Sequence, residues 1–145
     1  MPRIGVIGSL VLLAVGAGCN SKGLVPVEGR VTFAGKQPSA IGYLYFVPRD
    51  MPIDKLENRT GPLPASGRFD TDGSYRGTTF TDGDGVRSGT YEVRIECEGR
   101  PADNLSADEA HSAPVKSLVP KRFNPPDLVV PSSGPRPVRY DIDVK

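Results

Sequence analysis

Two short segments that alternate carboxylates with glycine are the groups best equipped for chemistry in this chain: Asp70-Thr71-Asp72-Gly73-Ser74 and Asp82-Gly83-Asp84-Gly85. Carboxylates at alternate positions, with glycine allowing a sharp turn, can wrap a hard cation such as calcium. If the two loops converge, Asp70, Asp72, Asp82 and Asp84 are the candidate calcium ligands. Neither segment is a complete EF-hand loop, because no acidic residue stands where the closing bidentate ligand belongs. Asp-Gly is also what a tight hairpin turn requires, and the turn is the favoured reading of both segments, with calcium the alternative if the loops converge.

Other chemistries find few residues. His111 is the single histidine and lies in a polar stretch, which excludes a histidine-rich zinc site and leaves Cys97 a poor companion ligand. A serine nucleophile would have to pair with that same histidine, and no Gly-x-Ser-x-Gly elbow is present. The expectation is therefore no catalytic residue, no enzyme, and calcium as the one cofactor the residues admit. Tyr43 and Tyr45 offer a different surface, an aromatic platform for a glycan or a protein edge. Core packing is the commoner fate of strand tyrosines and is the expectation for this pair.

The remaining reactive candidate is Cys19. Met1-Pro2-Arg3 is a short basic start, followed by an apolar run from Ile4 to Ala17 that ends at Gly18-Cys19. Such a run is short for a spanning helix, and its small-residue exit suits signal cleavage, so residues 1–18 read as an export signal. Ala17-Gly18-Cys19 resembles the end of a bacterial lipobox, in which the cysteine is acylated and becomes the new N-terminus; Gly16 stands where that pattern usually has leucine. The alternative is ordinary secretion with cleavage nearby. Lipidation at Cys19 predicts attachment to the cell membrane, facing the periplasm or the cell surface. It also leaves Cys97 without a disulfide partner, as a small buried hydrophobe; an unmodified Cys19 would reopen a Cys19–Cys97 bridge.

Charge excludes further partners. Removing Arg3 with residues 1–18 leaves 17 Lys and Arg against 17 Asp and Glu, with both signs interspersed. A formally neutral chain without a basic run gives no electrostatic case for nucleic acid. Nor is there a basic amphipathic helix, so membrane attachment would come from the lipid.

The elements that must position these residues are strands. Residues 19–24 form a small polar tether, and residues 25–145 a single domain. In Val25–Phe33 the residues Val25, Val27, Val31 and Phe33 point one way and Glu28, Arg30 and Thr32 the other. Tyr43–Val47 is a second, more continuously apolar strand. Prolines at 48, 52, 62 and 64 mark a surface loop. Gly67–Asp70 and Tyr75–Thr79 make a hairpin closed by Asp72-Gly73, with Phe69 and Tyr75 inward. Thr90–Glu98 puts Tyr91, Val93, Ile95 and Cys97 on one face. Residues 99–117 read as a polar loop, and Lys121–Phe123 and Leu128–Val130 as edge strands or extended connections. The last strand, Val138–Lys145, turns Val138, Tyr140, Ile142 and Val144 inward. About seven strands with no convincing amphipathic helix predict an all-β, antiparallel sandwich.

The order of these pieces resembles small transthyretin-like, carboxypeptidase-regulatory-like domains, as in short exported lipoproteins of planctomycete-type bacteria. The resemblance rests on Val27-Glu28-Gly29-Arg30-Val31-Thr32-Phe33 with Gly35-Lys36-Gln37-Pro38, then Phe69-Asp70-Thr71-Asp72-Gly73-Ser74-Tyr75. Asp82–Val86, Gly89-Thr90-Tyr91-Glu92-Val93 and Val119-Pro120-Lys121-Arg122-Phe123 complete it. It implies a seven-stranded Greek-key sandwich, commonly without catalytic residues and serving as a folding, spacing or binding module. Open sandwich edges can accept a partner strand, so the expectation is a structural or interaction module whose partner is an envelope protein or a glycan. The enzymatic relative of transthyretin, hydroxyisourate hydrolase, relies on several histidines and a C-terminal Tyr-Arg-Gly-Ser. This chain instead ends Tyr140-Asp141-Ile142-Asp143-Val144-Lys145.

Overall fold

The computed structural model describes residues 23–50, 61–99 and 115–145. The expected signal segment, Cys19, His111 and most of the loops around residues 51–60 and 100–114 lie outside the described residues. Among the described residues there is no helix, and the chain runs through eleven short strands. These are β1 (Leu24–Val25), β2 (Val27–Phe33), β3 (Gly42–Pro48), β4 (Ala65–Phe69), β5 (Ser74–Arg76) and β6 (Val86–Arg87). There follow β7 (Gly89–Gly99), β8 (Lys116–Ser117), β9 (Leu128–Val130), β10 (Val138–Arg139) and β11 (Ile142–Val144).

The alternation in β2, β3 and β7 becomes the core. Val27 and Val31, Leu44 and Phe46, and Tyr91, Val93 and Cys97 are all buried, each two or four residues from the next on its own strand. Strands run in the order β10-β2-β5-β4-β3-β7-β8, with β11 beside β2 and β9 beside β7; β1 and β6 form a separate two-stranded sheet. Val27 and Val31 nevertheless share one core cluster with Val93, Leu128 and Val130, whose strands stand far from β2 in that order. The long sheet therefore folds over onto itself to close the core.

Three details depart from the sequence reading. Pro26 divides the first strand: it lacks the N–H that would continue the ladder, and Leu24–Val25 pairs instead with Val86–Arg87. Leu24, counted above with the polar tether, is 1% exposed and belongs to the core face. Val138–Lys145 is two strands, both parallel to β2 (Val138 beside Val27, Ile142 beside Val31), so the sheet is mixed and not wholly antiparallel. Between them the side chain of Asp141 accepts the Arg30 N–H at 2.8 Å, in place of a ladder carbonyl. Two-residue alternation is the same in parallel and antiparallel strands, so side-chain pattern carries no information about direction. Lys116–Ser117, taken as loop, pairs with Glu98–Gly99.

Candidate functional site

The hairpin of β4 and β5 forms as its sequence requires. Gly73 adopts φ +81°, donates its N–H to the Asp70 carbonyl at 2.8 Å, and passes its own carbonyl to the Val31 N–H at 2.9 Å. A side chain there would come within 3.1 Å of Arg30 as well as striking the Val31 backbone. Asp72 accepts the N–H of Ser74 at 2.9 Å and its hydroxyl at 2.8 Å. Those bonds hold its carboxyl below the usual carboxylate range, the Ser74 backbone amide contributing most.

The second acidic loop is held from within. The Asp84 carboxylate accepts backbone N–H groups from Thr79 at 2.8 Å, Phe80 at 3.1 Å and Thr81 at 3.0 Å. Thr78 Oγ1 accepts from the Gly83 N–H at 2.9 Å, and Thr79 Oγ1 donates to the Gly85 carbonyl at 2.7 Å. Asp84 thus does in this loop what Asp72 does in the hairpin: it satisfies turn amides that no strand serves.

The four sequence-predicted aspartates are only partly brought together. Asp70 and Asp82 border one groove of about 480 Å³, while Asp72 and Asp84 do not line it. Asp70 is also paired with Arg68 at 3.0 Å. Among the described residues no three histidine, cysteine, aspartate or glutamate side chains gather as a metal-holding group.

What the groove does contain is arginine. Arg30, Arg68, Arg76 and Arg139, from β2, β4, β5 and β10, stand around it with Glu28, Asp70 and Asp82. The inward placement of Phe69 and Tyr75 was legible from the sequence; it also places Arg68 and Arg76, one residue to the outside of each, on the opposite face.

Tyr43 and Tyr45, expected in the core, are 46% and 37% exposed. The reason is register: Leu44 and Phe46 fill the inward positions of β3, so the alternating tyrosines face outward. With Ile41, Arg68, Glu96 and Glu98 they line a second groove of about 470 Å³. Partial burial and the neighbouring Glu96 carboxylate raise the Tyr45 phenol above its ordinary value, which keeps it protonated and able to donate a hydrogen bond.

Cys97, the one cysteine among the described residues, is 1% exposed, its thiol 3.6 Å from the Ala40 carbonyl. Cys97 packs in the core cluster, and burial pushes its thiol pKa up. Comparison with known proteins gives no match: no family model fits the chain, and neither a curated protein nor a solved structure resembles it significantly.

Proposed function

We propose that this chain is a non-catalytic, lipid-anchored β-sandwich of the cell envelope, a transthyretin-like Greek-key domain acting as an interaction module. The observation that carries the binding part is the outward pair Tyr43 and Tyr45 with exposed Ile41 beside them, on a groove edged by Arg68, Glu96 and Glu98. Aromatic rings supply contact area with little entropy to lose, and charged groups at the edge fix orientation. The calcium-assisted alternative has less support, because Asp72 and Asp84 spend their oxygens on turn amides.

The binding test is co-sedimentation with isolated envelope of residues 20–145 produced without the lipid, so that acyl insertion into membrane does not contribute. The double variant Tyr43→Ala, Tyr45→Ala is expected to bind about tenfold less or weaker still, as for truncated aromatic anchors. Its melting temperature should stay close to wild type, since exposed positions contribute little to stability. Unchanged sedimentation would overturn the reading. The anchor is tested by intact mass after detergent extraction from membranes: the mature chain is expected to begin at Cys19 and to carry acyl mass. An unmodified N-terminus would make the domain freely secreted.

A further inference from the structure

The outward positions of six strands form one continuous row. Arg139 on β10 lies beside Glu28 on β2, and Glu28 is opposite Arg76 on β5. Between the Phe69–Tyr75 pair and the Ser66–Thr78 bridge, the register sets Arg68 opposite Arg76. Arg68 is in turn opposite Tyr43 on β3, and Tyr43 opposite Glu96 on β7. At about 4.8 Å per strand the row runs roughly 24 Å across the sheet, joining the arginine groove to the tyrosine groove through their shared residue Arg68.

Its centre is electrostatically unfavourable. Arg68 and Arg76 are like charges directly across a strand pair, an arrangement that destabilises a sheet. Arg68 has Asp70 as a partner, and Arg139 has Glu28 at 3.2 Å. Among the described residues no carboxylate forms a salt bridge with Arg76, while Arg30, one row away, has Asp72 near enough to feel its charge. A bound anion between these guanidiniums would relieve the repulsion and accept forked hydrogen bonds.

The same groove narrows the kind of anion. Four guanidiniums stand against three carboxylates, Glu28, Asp70 and Asp82. A densely charged polyphosphate would meet those carboxylates as like charges, whereas a sugar acid offers them hydroxyl donors while giving its own carboxylate to arginine. Tyr43 in the same row, with Tyr45 two residues along the strand, offers a flat face for the apolar side of a pyranose ring. We infer that the Arg30, Arg68, Arg76, Arg139 groove and Tyr43 together seat a stretch of carboxylated polysaccharide, several sugar residues long, laid across the strands. This rests on the outward sheet face being the binding face, as proposed above.

The test is calorimetric titration of the full chain in detergent with a polygalacturonate hexamer and with its methyl-esterified, uncharged form. The free acid is expected to bind at least about tenfold more tightly than the ester, and more weakly as salt rises. Arg76→Gln is expected to reduce acid binding at least about tenfold while its melting temperature stays level or rises, because the substitution removes a like-charge pair. A variant that loses binding only by unfolding would show a lowered melting temperature instead; Arg68→Gln provides a second, independent reading. Equal affinity for acid and ester, both lost in the Tyr43→Ala, Tyr45→Ala variant, would overturn the carboxylate assignment and leave the tyrosine face as a binder. Binding of the acid unaffected by the tyrosine changes would overturn the combined site. No binding of either oligosaccharide would overturn the inference, and envelope co-sedimentation then judges the parent reading separately.

Discussion

Phe69→Ala is expected to lower the melting temperature by roughly 12–20 °C, the largest loss of any single side-chain truncation considered for this chain. Phe69 is fully buried, and its ring lies directly over Gly42 on the neighbouring strand. A methyl group on Gly42 would overlap the ring and come within 2.6 Å of the Glu96 carbonyl, so β3 cannot fill the space from its side. Removing the ring therefore leaves a cavity between β3, β4 and the rest of the core. Phenylalanine-to-alanine changes in cores cost about 3–5 kcal/mol, against about 5–15 kcal/mol for a whole domain. Phe69→Leu retains much of the volume and should lose markedly less. Thermal denaturation followed by near-ultraviolet circular dichroism checks both; a fall of under about 4 °C for Phe69→Ala would place the ring outside the core.

Gly29→Ala should be comparably damaging for a different reason. Gly29 occupies an inward position of β2, opposite Tyr75, and the C-terminal segment crosses close above it. An added Cβ would overlap the Tyr140 carbonyl oxygen and approach the Tyr75 hydroxyl to 2.9 Å. That hydroxyl donates to the same Tyr140 carbonyl at 2.5 Å, and burial holds the phenol far above its ordinary pKa, so it remains a donor at any physiological pH. The methyl group must push apart both members of a half-buried hydrogen bond that ties β5 to the segment between β10 and β11. Overpacking of about 1–3 kcal/mol and a lost half-buried hydrogen bond of about 1–2 kcal/mol give roughly 2–5 kcal/mol in total. Tyr75→Phe alone removes only the bond and is expected to cost about 1–2 kcal/mol. Because the two changes touch the same atoms, Gly29→Ala should cost less in a Tyr75→Phe background than in the wild type. Urea denaturation of the four proteins measures this; strict additivity would mean that Gly29 and the hydroxyl do not compete for the same space.

Both predictions concern the core-facing side of the sheet, which the sequence described well. Phe69, Tyr75, Tyr91, Val93 and Cys97 are buried where two-residue alternation placed them, and the Asp72-Gly73 turn closes the hairpin it was expected to close. The outward face was described poorly. Tyr43 and Tyr45 were assigned to the core on residue type, yet Leu44 and Phe46 had the stronger claim on the inward positions of the same strand. For the aspartates the favoured turn reading describes Asp72 and Asp84, which accept turn amides, while the calcium alternative needed a convergence of four carboxylates that one groove gives only to Asp70 and Asp82.

The sequence by itself determined that the described residues are all-β, roughly where most of the core-facing strands lie, and which of their residues face inward. These are local properties: side chains alternate along a strand whatever its neighbours are, and glycine beside aspartate turns a chain without outside help. Only the tertiary structure decided that the C-terminal strands run parallel to β2, that Leu24–Val25 leaves the main sheet, and that Arg68 and Arg76 stand side by side next to Tyr43. Those facts depend on strand order, direction and register between segments as much as 111 residues apart. Alternation repeats identically for every such pairing, so the choice among them rests with the closing of the core.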